Sequence, residues 1–370
     1  MASLTGVRSV AAAVAILLTT SLIGGCSIGY YWQASMGHLE LMRQRRPVAD
    51  VLDDSGTPED VRAKLEIAAS AVDFAHAELG LPDNGSYRLY ADTGRAYVVW
   101  NVVAAPEFSL EPRTWCFPVA GCISYRGYFD EENARRFASG LAGDGDDVFV
   151  GGVAAYSTLG RFEDPILNTM IGYSDYQLAG LIFHELAHQR IYVKDDSTFN
   201  EGFASFVELE GLRRWLGTVG TEQDLCRYDR SLQRRSQVLA LLAVHRERLE
   251  SLYSSDRSPA DLRMQKAAVF ADLATAYREL REGWAEPPYF DRWFDGALNN
   301  ARLVALATYD EYVPAFGALL QQSGGRLETF YAAVEALTKL DSDERLRRFD
   351  ELLDIAAATE PAANCLPVAT

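Results

Sequence analysis

His184-Glu185-Leu186-Ala187-His188, followed by Asn200-Glu201-Gly202-Phe203-Ala204, is the stretch on which the reading of this 370-residue chain turns. On a helix, residues i and i+4 share a face, so His184 and His188 can hold one metal ion between them. Glu185 then projects beside that ion, where a carboxylate can take a proton from water. Twelve residues separate His188 from Glu201, which opens what reads as the next helix. Two His and one Glu leave zinc a fourth position for water, the pattern of a catalytic rather than a closed structural site. The local context supports a helix. Ser174 with Gln177 makes a capping-box start, and Leu178, Leu181, Ile182, Leu186 and Ile191 recur at helical spacing. The bland alternatives are a solvated surface helix, and for Glu201 a first-turn carboxylate favoured by the helix dipole. Only five His occur in the chain, and two of them stand here. Arg190 is unusual, since many zinc peptidases keep an uncharged residue two positions after the second His.

Working outward, the length allows a substantial core in one large domain or two intimate subdomains. An apolar content of 48% with 24% charged residues is that of a globular protein. A formal net charge of -17 argues against nucleic acid or an anionic membrane as an electrostatic partner. The N-terminus has the form of a targeting segment, with Arg8 its only charge and a small-apolar run from Val10 to Leu22. That run is shorter than the ~20 residues a transmembrane helix needs. It ends in Leu22-Ile23-Gly24-Gly25-Cys26-Ser27, which resembles a bacterial lipobox. The resemblance implies a lipid on Cys26, a signal peptide over 1–25 and a periplasmic lipoprotein. Ser27, not Asp, after the Cys points to the inner leaflet of the outer membrane.

Four Cys remain, an even number that suggests disulfides in an oxidising compartment. Cys116 and Cys122 enclose Phe117-Pro118-Val119-Ala120-Gly121, whose Pro and Gly allow a tight loop. Cys226 with Cys365 follows by elimination, and no C-x-x-C spacing supports zinc ligation by these residues.

Periodicity places helices over about 30–50 and 58–79, and a β-hairpin of 87–90 with 97–103 around Asp92-Thr93-Gly94-Arg95. A short helix follows near 131–141, then a strand over 148–156. From Thr198 onward the pattern is helical, over about 198–216, 221–252, 259–283, 288–322, 326–339 and 342–358. The expected fold is α+β and predominantly helical, with a small mixed sheet in the N-terminal half and a helical C-terminal half. The expected division is a lipidated segment 26–55, a zincin-like catalytic subdomain 56–216 and a helical subdomain 217–370 completing the cleft.

With one zinc ion on His184, His188 and Glu201, Glu185 is the expected general base and later proton donor to the leaving amine. A hydroxyl that stabilises the tetrahedral intermediate is expected from Tyr309, beyond Leu298-Asn299-Asn300-Ala301-Arg302-Leu303, with Tyr312 second. With 18 Tyr in the chain, either of these can equally be a packed residue. The strand Gly151-Gly152-Val153-Ala154-Ala155-Tyr156 lies just upstream of the metal helix. In zinc peptidases an edge strand in this place pairs with the substrate backbone, and glycines there permit close approach. A plain core strand is the alternative.

Taken together, these blocks resemble the zinc aminopeptidase family of bacterial lipoproteins. The matching text is Gly25-Cys26 with Tyr30-Tyr31-Trp32-Gln33-Ala34, Gly37, Leu39, Leu41 and Arg46-Pro47. It continues with Cys116 to Cys122 and Tyr125-Arg126-Gly127-Tyr128-Phe129, then Ala155 to Gly160 with Asp164-Pro165, the metal helix, Asn200-Glu201 and Asn299-Asn300-Ala301. The resemblance implies a membrane-anchored zinc peptidase of the gluzincin type acting on peptides as an aminopeptidase. Two departures stand out. The spacing from His188 to Glu201 is shorter than in most gluzincin aminopeptidases, and the upstream strand lacks the acid that binds a substrate's free amine. Glu163 or Asp164 is the substitute the sequence offers. Without such an acid the chemistry is that of an endopeptidase. A non-catalytic envelope lipoprotein used as a binding module is the reading from another class, and Glu185 argues against it.

Overall fold

The computed structural model describes residues 29–117, 121–284, 290–307 and 312–358. The order begins with α1 (29–43), β1 (Arg46–Pro47), α2 (Val48–Asp53), α3 (Glu59–Ala77), β2 (Leu89–Ala91) and β3 (Val99–Pro106). It continues with β4 (Trp115–Phe117), β5 (Gly121–Ile123), β6 (Arg126–Tyr128), α4 (Glu131–Gly143), β7 (Asp146–Val153) and β8 (Ile166–Leu167). The helical remainder is α5 (Asp175–Arg190), α6 (Ser197–Val219), α7 (Glu222–Tyr253), α8 (Pro259–Glu282), α9 (Asp291–Phe294), α10 (Asn300–Ala307), α11 (Val313–Gln322), α12 (Leu327–Leu337) and α13 (Ser342–Ala357). The fold is α+β and mostly helical, with small sheets confined to the N-terminal half.

Among the described residues the strands form three sheets. One has the order β1-β2-β8, with β1 antiparallel and β8 parallel to β2. The second, β6-β3-β7, is antiparallel throughout, with Val99 opposite Val153 and Pro106 opposite Asp146. The third is β4-β5, bridged by the Cys116–Cys122 disulfide. The hairpin expected around Asp92–Arg95 does not form, because β2 and β3 lie in different sheets. The polar groups of that turn are taken by a distant residue. Asn168 Oδ1 accepts from the Thr93 N–H and hydroxyl at 2.9 Å, and its Nδ2 donates to Arg95 O. The helix expected over 288–322 is broken into α9, α10 and α11. Gly296 adopts φ +113°, which a side chain disfavours, and Asn299 Oδ1 caps α10 by accepting from the Arg302 N–H.

Helices α5 and α6 form the centre of the largest core, which also takes in α1 to α3 and α11 to α13. The two cross closely because Gly180 of α5 has no side chain. A Cβ there would lie 2.8 Å from Leu212 Cδ1. Beneath α6 sits an aromatic cluster in which Phe203 meets the rings of Phe316, Phe330 and Tyr331. Phe203 is fully buried, so Phe203→Ala is expected to lower the unfolding free energy by about 3–5 kcal/mol in urea melts. A second core packs α7, α8 and α10 on one face of the β6-β3-β7 sheet, and a third packs α4 on the other. The C-terminal helices therefore serve two cores: α7, α8 and α10 back the sheet, while α11 to α13 back the metal helices.

Candidate active site

Helix α5 starts where Gln177 Oε1 accepts from the Ser174 backbone N–H at 3.1 Å and hydroxyl at 2.9 Å. Its inward stripe of Leu178, Ile182, Phe183 and Leu186 is buried, which fixes the rotation of the helix and turns His184 and His188 to one side. Both imidazoles are buried. The connection to α6 is pinned by Asn200, whose Oδ1 accepts from the Val193 N–H and whose Nδ2 donates to Val193 O, each at 2.7 Å. Asp196 caps α6 by accepting from the Phe199 N–H and also receives Arg345 of α13 at 2.8 Å. Glu201 is thereby delivered to the two imidazoles: its Oε2 lies 3.4 Å from His184 Nε2 and 3.7 Å from His188 Nε2.

The ligand atoms of His184, His188 and Glu201 all lie within 4.8 Å of one another, and the three could hold a metal ion. A tetrahedral ion with ligands at ~2.1 Å keeps them roughly 3.4 Å apart, close to the two measured separations. The electrostatics also suit a cation. Burial opposes charge on His184, but hydrogen bonds and attraction from Glu201 and Glu208 outweigh it and raise its pKa from 6.5 to about 10. Burial works against ionised Glu201 as well, yet the two imidazoles hold its carboxyl far below the usual range.

Sequence reasoning missed Glu208. Two turns beyond Glu201 on the same face of α6, its Oε2 lies 3.1 Å from His184 Nδ1. An acceptor there keeps the proton on Nδ1, turns Nε2 towards Glu201 and makes it a better ligand. Glu208→Gln is expected to weaken metal binding about 10–100-fold in chelator competition without removing it. The seven-residue spacing from Glu201 was the available signal, but Glu210 on the same helix was no less eligible before the packing was known.

Two tyrosines lie near the cluster and a third near Glu185. The Tyr192 ring lies 6.3 Å from the His188 ring, and its hydroxyl pKa is raised by burial and then by Glu201. Tyr125 is raised by burial, then by Glu201 and Glu185. It follows the β4-β5 hairpin, which Asp195 fixes to the α5–α6 connection by accepting from the Cys122 N–H at 2.7 Å. Tyr87 has a buried hydroxyl with no partner among the described residues, takes φ +62°, and feels burial first and then Glu185 and Asp164. Tyr309 lies outside the described residues. Tyr312 stacks on Phe349 with centroids 4.2 Å apart, as a core residue does.

The upstream strand is placed differently from the expectation in two respects. Gly152 makes room for an internal ring: a Cβ there would lie 2.3 Å from Tyr97. Regular strand stops at Val153, with Ala154 and Ala155 buried beyond it and Tyr156 packed on Phe129 at 5.2 Å. The strand does lie at a sheet edge. Val153 O faces β3, where it accepts from the Val98 N–H, whereas Val148 O accepts from Asn299 and Ala154 O from Thr169. By strand alternation, Val150 and Gly152 turn their main-chain groups outward. Asn299 and Asn300 tie α10 to the sheet, Asn300 Nδ2 donating to the carbonyls of Pro106, Glu107 and Ser109.

Asp164 is not open to a substrate amine. It is fully buried and accepts from the Thr158 N–H at 3.0 Å and the Thr158 hydroxyl at 2.7 Å. Glu163 rests on Gly85, where a Cβ would lie 2.8 Å from its Oε1. Burial raises the Asp164 pKa from 3.8 to about 6 despite the bonds from Thr158. Between those pH values the folded chain holds a proton that the unfolded chain releases, so stability falls as pH rises through this window. It levels off above about pH 6, after a loss on the order of 3 kcal/mol. Asp164→Asn is expected to flatten that slope in denaturant melts at pH 4, 5, 6 and 7. The Cys116–Cys122 disulfide has Cα atoms 3.8 Å apart. Cys226 is disulfide-bonded, and its expected partner Cys365 lies outside the described residues, as does Cys26.

An α+β fold with two His on one helix and a Glu on the next, gathered in a buried cation-favouring cluster, is of the kind that metal-dependent hydrolases use. A family model described as "Putative aminopeptidase" matches residues 29–349, and the chain belongs to that family. The match indicates peptidase activity and a peptide substrate. No curated protein and no solved structure gives a significant match.

Proposed function

We propose that this chain is a zinc metallopeptidase, acting as an aminopeptidase and held in the bacterial envelope by a lipid on Cys26. The observation that carries the reading is the convergence of His184, His188 and Glu201 in a member of an aminopeptidase family. A helix pair α5–α6 that carries the candidate ligands, in a chain that also has a small antiparallel sheet with β7 at its edge, supports a zincin-like reading. Two imidazoles and one carboxylate suit zinc, which when bound supplies a Lewis acid that polarises a carbonyl and acidifies water. Glu185, one residue after His184 and half-buried, accepts the proton of the attacking water and returns it to the leaving nitrogen. Glu208 holds the His184 ring, and the hydroxyls of Tyr125 and Tyr192 offer donors to a developing oxyanion. The outward edge of β7 at Val150 and Gly152 offers main-chain pairing to an extended peptide.

A second reading is endopeptidase on the same machinery. It is favoured by the burial of Asp164, which removes one of the two acids the sequence offers to meet a free N-terminus. Incubating the zinc-loaded protein with a peptide library and reading products by mass spectrometry separates the two. Stepwise loss of N-terminal residues supports the aminopeptidase, and internal cuts support the endopeptidase. Intact peptides would overturn both and favour a binding module. Among the described residues no helix is long and apolar enough to cross a membrane, and attachment is assigned to Cys26.

A further inference from the structure

Helix α1 carries large apolar side chains that the rest of the chain does not cover. Trp32 is 68% exposed, Met36 44% and Leu39 45%. Spaced i, i+4 and i+7, they fall on one helical face. Tyr31, 43% exposed, flanks the stripe on one side. On the other side Trp32 and Met36 border a hollow of about 890 Å³ whose far wall includes Tyr97, Trp100 and Phe129. The opposite face and one flank of α1 are fastened to the body. Leu41 is buried, Gln33 Oε1 accepts from the Phe129 N–H at 3.1 Å, and Glu40 pairs with Arg95 at 2.9 Å. Exposure of the stripe is therefore not the fraying of a loose terminus.

We infer that the Trp32-Met36-Leu39 face of α1 seats in the interfacial layer of a phospholipid bilayer. This inference rests on the proposed lipid at Cys26. Five residues separate Cys26 from Trp32, and two of them, Ser27 and Ile28, precede residue 29, where the described part of α1 begins. Even fully extended, the three Cα steps from Cys26 to residue 29 reach only ~10 Å, so an acyl chain in the bilayer leaves that end of α1 at headgroup depth. With the axis of α1 in the membrane plane, Trp32 to Leu39 spans ~10 Å along the surface, and the three side chains enter the layer at one depth. Trp and Tyr are the side chains that favour this layer, with an apolar ring and a polar edge. With a net charge of -17, contact through apolar and aromatic surface rather than through charge is what this chain can offer. Because α1 is fixed to the body, seating its face sets the orientation of the catalytic helices to the membrane. The lipid alone would leave the protein to swing on its tether.

The test uses the full-length, lipid-modified chain in phosphatidylcholine vesicles, with a nitroxide on Ser35→Cys beside the stripe or on Met264→Cys of α8, which is 65% exposed. Flotation is read first, then collision of each label with oxygen and with a water-soluble nickel chelate. The expected result is flotation, with the label at 35 favouring oxygen several-fold over the label at 264 and unaffected by added salt. Flotation with both labels equally water-exposed would overturn the seating while leaving the anchor intact. Absence of flotation would overturn the anchor and the seating together. In a Cys26→Ser background, Trp32→Asp with Leu39→Asp is expected to lower residual vesicle partition at least about tenfold while leaving peptide cleavage unchanged.

Discussion

Glu185→Gln is expected to leave metal binding intact and to lower kcat for peptide cleavage by about 10²–10⁴-fold. The substitution keeps size and burial and removes only the ability to accept a proton at the carboxylate. Glu185 has no place in the ligand cluster, which consists of His184, His188 and Glu201. Its neighbours on α5, His184 and Leu186, are buried, so the helix is held by packing that the change does not disturb. The measurement is zinc content by elemental analysis beside initial rates on one good peptide. Full zinc with lost turnover is the expected pair. Full zinc with unchanged turnover would remove Glu185 from the chemistry, and loss of zinc would make it a ligand or a structural residue instead.

Glu201→Ala is expected to do the reverse and abolish stoichiometric metal binding. It removes one of three ligands, so its effect should exceed the about 10–100-fold expected when an outer partner such as Glu208 is altered. A metal that binds only the folded chain also stabilises it, by an amount that grows as the logarithm of one plus the ratio of free metal to Kd. Zinc should therefore raise the melting temperature of the wild-type chain and leave Glu201→Ala unmoved. The variant's own fold should persist, because α6 is held by Phe199, Phe203 and the Asp196–Arg345 pair and not by Glu201. A zinc-dependent rise that survives in Glu201→Ala would show that the ion binds elsewhere.

Both predictions rest on residues that could be found without coordinates, and for the pair of His and for Glu185 the reason is local geometry. His184 and His188 share a helical face because the helix repeats every 3.6 residues, and Glu185 stands beside them for the same reason. The Cys116–Cys122 bridge was legible because five residues with Pro and Gly between two Cys form a small local loop. Helix α6 and the long helices α7 and α8 were legible from apolar periodicity over many turns.

What the sequence by itself determined was the set of groups that a single helix or short loop holds together: the two imidazoles, the adjacent carboxylate and the tight disulfide loop. Only the tertiary structure decided which distant groups complete the site and which do not. Asn168 takes up the turn at Thr93 and so separates two strands that local signals would pair. Asn200 clamps Val193 and so aims Glu201, while Glu208 rather than Glu210 meets His184. Tyr125 arrives from a hairpin fastened by Asp195, and Asp164 is sealed by Thr158. Apart from the nearby Asn200 clamp and the Thr158–Asp164 bonds, these choices join segments tens of residues apart. Each depends on how whole elements pack, and no spacing of side chains along the chain encodes it.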